Sequence, residues 1–96
     1  MPAYVIGEVT VTDGSWAAEY SERIQPLLEK HGGKYIGRAA PAEKLEGDRS
    51  LSTVVVMLEF PSADQARSWY VDPDYAPLID LRNTGSSAEI MLVDGV

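Results

Sequence analysis

The sequence predicts one α+β domain in which strands and helices follow the order β-α-β-β-α-β. Three observations predict this order: four runs rich in β-branched or aliphatic residues, two stretches with apolar residues at helical spacing, and turn or capping residues between them. A chain of 96 residues has the size of a single small domain, so we assign residues 1–96 to one unit.

The first strand and the first helix are predicted from the N-terminal third of the chain. Residues 3–12 are rich in valine and threonine, and Asp13, a favoured N-cap residue, follows them. Apolar and aromatic side chains then recur at helical spacing as far as His31. Gly32 or Gly33 can adopt the left-handed conformation that ends a helix.

The second and third strands are predicted from the middle of the chain. Residues 34–40 form the second strand, which we expect to resume near 43–45 after Pro41. Proline donates no backbone hydrogen bond, so Pro41 indicates a bulge or a sheet edge. Residues 53–60 give the strongest strand pattern of the chain.

The second helix and the last strand are predicted from the remaining third. Ser62 and Gln65 have the spacing of a capping box. An Asp-Pro-Asp sequence then interrupts the helix, and Asp74 is expected to cap a second helical piece with Pro77 in its first turn. Residues 88–94 are predicted as the fourth strand. The complete order is the split βαβ, or ferredoxin-like, arrangement with a four-stranded antiparallel sheet.

Both faces of the predicted sheet are apolar. One face is uniformly apolar and is expected to meet the helices. The opposite face is too apolar to be left in water, because a one-sided antiparallel sheet alternates more cleanly. We therefore expect a homodimer in which two sheets face each other as a dimeric α+β barrel. The residues of that second face are Tyr4, Ile6, Glu8, Thr10, Thr53, Val55, Met57, Glu59, Glu89, Met91 and Val93.

Several short stretches along the chain form a pattern typical of one family. They are Pro2-Ala3-Tyr4-Val5-Ile6, Asp13 with Trp16 and Tyr20, Leu28-Glu29-Lys30-His31-Gly32-Gly33, Tyr35-Ile36-Gly37-Arg38, Leu45-Glu46-Gly47, the run from Val55 to Ser62, Ala66-Arg67-Ser68-Trp69-Tyr70, Tyr75-Ala76-Pro77-Leu78 and Arg82. In these stretches the chain resembles the family known as domain of unknown function 1330, whose members are dimeric α+β barrels. The likeness covers essentially the whole chain in the right order, and Gly14 is a departure where similar sequences often have proline. The resemblance implies the fold and leaves the activity open.

Composition excludes several classes of function. The formal net charge of −7 repels phosphate backbones, so we expect no nucleic-acid partner. There is no cysteine, which excludes thiol chemistry and zinc–thiolate sites and fits a cytoplasmic protein. We also expect no membrane partner, because no apolar run approaches the roughly 20 residues that a membrane helix needs, and no secretory signal.

Four residues are predicted to bind a ligand. Arg38, in a short strand, can hold a carboxylate or phosphate through paired hydrogen bonds, or it can form a structural ion pair. Trp69 and Tyr75 surround the helix break and can line a pocket, or they can be core residues. Arg82 follows Tyr75 by seven residues and shares its helix face, so it offers a second cation or a contact with the helix C-terminus.

Two residues are candidates for proton transfer. Tyr20 lies on the apolar stripe of the first helix, and His31 is the only histidine. Histidine at this place can be a general base, a helix cap or, as in some proteins of similar architecture, a haem ligand. We find no metal-ligand cluster, phosphate-binding loop or nucleophile motif, and we predict no metal and no cofactor.

These observations leave two hypotheses about function. The first is a small-molecule-binding protein, which includes a cofactor-independent enzyme acting on an acidic or aromatic metabolite. It relies partly on analogy with enzymes of similar fold, and fold alone is a weak argument for function. The alternative is a non-catalytic dimeric binding module or stress-associated accessory protein.

Overall fold

The computed structural model describes residues 2–40 and 42–95, except for the side chains of 38–40, and confirms the α+β architecture. The helices and strands follow the predicted order, with one short 3₁₀ helix and with the second helical region divided in two. The elements are β1 (Ala3–Val11), the 3₁₀ helix Gly14–Trp16, α1 (Ala17–Lys30), β2 (Lys34–Ala40), β3 (Val54–Phe60), α2 (Ala63–Tyr70), α3 (Ala76–Arg82) and β4 (Ser86–Asp94).

The four strands form one antiparallel sheet in the order β2-β3-β1-β4. Val5 of β1 lies opposite Leu58 of β3 and Leu92 of β4, whereas the next residue, Ile6, lies opposite methionines on both neighbours. Since side chains alternate between the faces of a sheet, this register separates the two apolar sets that the sequence pattern predicts.

The segment between β1 and β2 is fixed by capping and by two glycines. Asp13 accepts a hydrogen bond from the Ser15 backbone N–H at 3.0 Å and so begins the helical region. Gly32 has a φ of +76° and ends α1 in the left-handed conformation. Gly33 leaves room for an aromatic ring, because a Cβ there would lie 2.5 Å from Cε1 of Phe60.

Strand β2 lies at the edge of the sheet, and its pairing with β3 is irregular. The edge position agrees with the prediction from Pro41, although Pro41 itself lies outside the described residues, and the register shifts on both sides of Gly37. The predicted resumption of this strand at 43–45 is wrong, because residues 42–53 contain no strand. Residues 42–50 are all exposed, so this segment has no buried face to favour pairing.

The second half of the chain differs from the prediction at one cap and one strand end. Ser62 caps α2 by accepting from the Gln65 backbone N–H at 3.2 Å. The predicted cap of α3 at Asp74 is wrong: the Asp72 carboxylate accepts from the Asp74 N–H at 2.9 Å, and the helix itself begins after Tyr75. Strand β4 begins at Ser86 and therefore includes two residues predicted as loop.

The helices cover one face of the sheet and leave the other uncovered. The Cα atoms span only 17 Å in the thinnest direction, which corresponds to one sheet and one helical layer. Within the described ranges, none of the helices is long and apolar enough to cross a membrane. The main buried cluster between the layers consists of Val5, Ile24, Leu27, Leu28, Leu58, Phe60, Ala66, Trp69, Tyr75 and Leu78.

Candidate functional site

A cavity of about 290 Å³ lies between the helical layer and the sheet. Its volume is at the lower end of the range of about 300–1,000 Å³ that is typical of small-molecule sites. The sheet contributes a mostly aliphatic floor, and the helical region contributes aromatic and polar side chains. The lining residues are Val5, Gly7, Val9, Trp16, Ala17, Tyr20, Ser21, Ile24, Gln25, Tyr35, Val54, Val56, Leu58, Trp69, Tyr75, Arg82 and Ile90.

Three of the predicted site residues form a hydrogen-bonded chain in the cavity wall. The hydroxyl oxygens of Tyr20 and Tyr75 are 2.7 Å apart, and Arg82 Nη1 donates to the Tyr75 hydroxyl at 3.1 Å. Tyr75 precedes α3 and Arg82 is its last residue, so their seven-residue separation places them on one side of the helix. These hydrogen bonds therefore join α1 to α3 beside the cavity.

Arg82 is a buried cation without a matching anion. The side chain forms no ion pair with any described residue, although only 6% of the residue surface is exposed. Its Nε is buried and has no hydrogen-bond partner in the described structure. Buried arginines are normally paired, because a lone charge in the interior is poorly solvated. Arg82 is therefore the strongest anion-attracting group of this cavity.

Aromatic rings enclose the cavity above the sheet. Trp69 and Tyr75 pack with ring centroids 4.5 Å apart, and Trp16 meets Tyr20 edge to face at 5.4 Å. The indole Nε1 atoms of both tryptophans are buried and lack acceptors among the described residues. Each indole N–H is a hydrogen-bond donor and cannot accept.

The Tyr75 hydroxyl is held in its neutral form. Burial raises the pKa of Tyr75 far above its usual range, and the adjacent Tyr20 hydroxyl raises it further, against the opposite effect of Arg82. Tyr75 is accordingly a protonated phenol at physiological pH, not a phenolate partner for the arginine.

Comparison of the sequence with protein-family models assigns the chain to a family. The family model described as "Domain of unknown function (DUF1330)" matches residues 2–96. The chain belongs to the DUF1330 family. A search of curated proteins finds no match.

Solved structures share the fold of this DUF1330 chain at low sequence identity. The RPA0582 protein of unknown function from Rhodopseudomonas palustris is 18% identical with a TM-score of 0.78, over 99% of this chain and 82% of its own. SnoaB from Streptomyces nogalater, a cofactor-independent oxygenase, is 14% identical with a TM-score of 0.69, over 99% and 93%. A dimeric ferredoxin-like protein of unknown function from Bacteroides fragilis is 12% identical with a TM-score of 0.67, over 98% and 96%. These likenesses show the fold.

His31 lies outside the cavity lining of the DUF1330 chain. Its Nε2 is 2.8 Å from a carboxylate oxygen of Asp72, and Lys30 Nζ donates to the same oxygen at 2.9 Å. The hydrogen bonds from His31, Lys30 and the Asp74 backbone hold the pKa of the Asp72 carboxyl well below its usual range. This cluster ties the end of α1 to the turn that precedes Tyr75. Because His31 does not line the cavity, its role in proton transfer stays a prediction.

Two further residues complete the comparison with the predicted site. The side chain of Arg38 lies outside the described part of the structure, so its role as an anion anchor stays a prediction. Trp16 is a cavity residue that the sequence reasoning did not select. The sequence does contain a pattern that indicates this position: Trp16 precedes Tyr20 by four residues and therefore shares its helical face.

A second groove of about 300 Å³ lies between α2 and β4 and shares Trp69 with the cavity. Its lining is almost entirely apolar, with Arg67 as the exception, and several of its residues are exposed. Arg67 is paired with Asp64 at 3.0 Å. The groove shares the buried, unpartnered Nε1 of Trp69 with the cavity, but its described lining holds no buried cation without an ion pair.

Proposed function

We propose that this protein binds a small acidic or aromatic organic molecule in the cavity beside Arg82. The observation that carries the proposal is the buried guanidinium, which has no carboxylate partner among the described residues. A bound anion would supply the missing opposite charge. A structural ion pair would instead leave no group for a ligand to satisfy.

The walls favour a planar ligand. Trp16, Tyr20, Trp69 and Tyr75 offer ring faces and edges, and the aliphatic residues of the sheet close the opposite side. Aromatic rings pack well in offset or edge-to-face contacts with other rings. A cavity of about 290 Å³ suits a ligand of one or two rings.

The test is thermal unfolding of the wild type and of matched arginine variants with a panel of aromatic carboxylates and phenols. A ligand at one hundred times its dissociation constant stabilises the folded state by about 2.7 kcal/mol. We expect Arg82→Met to lose that stabilisation and Arg23→Met, an exposed arginine of α1, to keep it. Arg38→Met tests the second predicted anchor. Equal ligand-induced shifts in the wild type and in Arg82→Met would exclude Arg82 as the anchor.

Native mass spectrometry of freshly purified protein supplies an independent measurement. A co-purified organic molecule that is present in the wild type and absent from Arg82→Met supports the proposal and identifies the ligand. Turnover of that molecule would distinguish an enzyme from a non-catalytic binding module.

We also propose that the chain forms a homodimer through the uncovered face of the sheet. Solved structures with this fold from Bacteroides fragilis and from Jannaschia are described as dimeric. On this chain, Met57 is 38% exposed, Met91 is 43% exposed, and both are cross-strand neighbours of Ile6. Burial of such side chains against a second copy contributes about 25 cal/mol for each Å² of apolar surface removed from water.

Light scattering tests the dimer. The wild type is expected to show twice the chain mass of 10.5 kDa. Met57→Glu places a charge at the centre of the uncovered face and should shift the mass to that of one chain. Val71→Glu is the control, because Val71 is exposed on the helical layer. A wild-type mass of one chain at micromolar concentration would contradict this interface.

A further inference from the structure

The hydrogen-bond chain beside the cavity has a direction. Arg82 has only donors, so its Nη1 donates to the Tyr75 hydroxyl oxygen at 3.1 Å. Tyr75 is 1% exposed, and within the described structure its own hydrogen has one acceptor in reach, the Tyr20 hydroxyl oxygen at 2.7 Å. A buried donor without an acceptor is strongly unfavourable, so Tyr75 donates to Tyr20.

Because Tyr75 donates to Tyr20, the hydroxyl hydrogen of Tyr20 is available to bond a ligand. Tyr20 accepts from Tyr75, is only partly buried and lines the cavity. If Tyr20 donated to Tyr75 instead, the hydrogen of the fully buried phenol would lose its acceptor. Tyr20 is therefore a hydroxyl donor whose orientation is set by two residues behind it.

Three buried N–H donors belong to residues that line the cavity. Nε1 of Trp16, Nε1 of Trp69 and Nε of Arg82 have no acceptors among the described residues. The described lining residues include no aspartate, glutamate or histidine, and the polar residues Ser21 and Gln25 lie on the α1 side. Such a lining stabilises negative charge on a ligand, but it offers no carboxylate or imidazole to remove a proton.

We propose that the ligand is a weak oxygen acid, a phenol or an enol, that is held as its anion. Tyr20 donates a hydrogen bond to the anionic oxygen, and Arg82 supplies the opposite charge. On binding of the neutral acid, the O–H bond breaks heterolytically, the electron pair stays on the ligand oxygen and the proton passes to water. This assignment rests on the proposed function and adds to it the protonation state of the ligand and the contact at Tyr20.

The probe is 4-nitrophenol, whose phenolate is distinguished from the phenol by its absorbance. Binding is measured across the pH range in which the free probe titrates, with nitrobenzene as a neutral probe of similar shape. If the site binds the phenolate about tenfold more tightly than the phenol, the apparent pKa of the bound probe falls by about one unit. This measurement uses the wild type and does not depend on the folding of any variant.

Tyr20→Phe tests the contact, and Tyr70→Phe on α2 is the matched control. A hydrogen bond to a charged oxygen contributes enough that we expect about a tenfold loss of phenolate affinity in Tyr20→Phe, with nitrobenzene affinity unchanged. A bound probe with an unchanged or raised pKa would overturn the assignment while leaving small-molecule binding intact. Failure of the wild type to bind either probe would overturn the proposed function as well.

Discussion

Replacing Arg82 with methionine is expected to stabilise the ligand-free protein while removing its affinity for anions. Moving a charged side chain from water into the interior costs roughly several kcal/mol, even after the surrounding protein has relaxed. No described carboxylate offsets that cost for Arg82. The hydrogen bond to Tyr75 returns about 1.5–3 kcal/mol, and the position at the end of α3 returns about 0.3–1 kcal/mol. Methionine fills a similar volume and needs no partner. The net gain is about 1 kcal/mol.

The assay for this prediction is urea unfolding, supported by thermal unfolding. For a domain of this size, about 1 kcal/mol corresponds to a rise of roughly 4–8 °C in Tm. Arg23→Met is the control, because its exposed pair with Glu19 is worth about 0.3–0.5 kcal/mol. A loss of more than about 1 kcal/mol in Arg82→Met would refute the reasoning, since it would make Arg82 a structural residue whose charge is already satisfied.

Two further predictions concern the framework of the cavity. Because hydrogen bonds lower the pKa of Asp72 in the folded state, its contribution to stability is full above the unfolded pKa of about 3.9 and is lost progressively as the pH falls from there through the lower folded pKa. Asp72→Asn should therefore lower the urea midpoint at neutral pH and weaken its acid dependence, whereas Asp80→Asn, at an exposed position of α3, should leave the urea midpoint at neutral pH unchanged. Gly33→Ala should lower the free energy of unfolding by about 1–3 kcal/mol, because its Cβ would lie 2.5 Å from the ring of Phe60. Gly14→Ala is the control: its Cβ would meet only one side-chain carbon, at 3.8 Å, so the same unfolding assay should show no change or a slight stabilisation.

Local signals in the sequence were sufficient for most of the fold. Asp13 and Ser62 cap helices through hydrogen bonds to residues two and three positions away, so short patterns reveal them. The separation of Tyr75 and Arg82 by two helical turns predicts that they meet, and they do. Alternation along β1 and β3 likewise predicts the two faces of the sheet, and the strand register agrees with it.

The features that were missed depend on contacts between distant parts of the chain. Asp72 and His31 are 41 residues apart, and no local pattern predicts that the carboxylate pairs with that imidazole. The same pairing explains why Asp72, and not Asp74, organises the turn before α3. The lack of a carboxylate partner for Arg82 among the described residues depends on how the helical layer packs on the sheet, which a linear sequence does not display.

The most direct test of the ligand site is an NMR titration of the two indole N–H groups with 4-nitrophenolate. The chain has two tryptophans, both line the cavity, and neither indole Nε1 has an acceptor among the described residues, so each gives one resolvable reporter. Trp69→Phe assigns the two resonances. We predict saturable shifts of the indole signals in the wild type and none in Arg82→Met at the same concentrations. Indole signals that stay fixed in the wild type, or that move equally in both proteins, would contradict an anion site at Arg82.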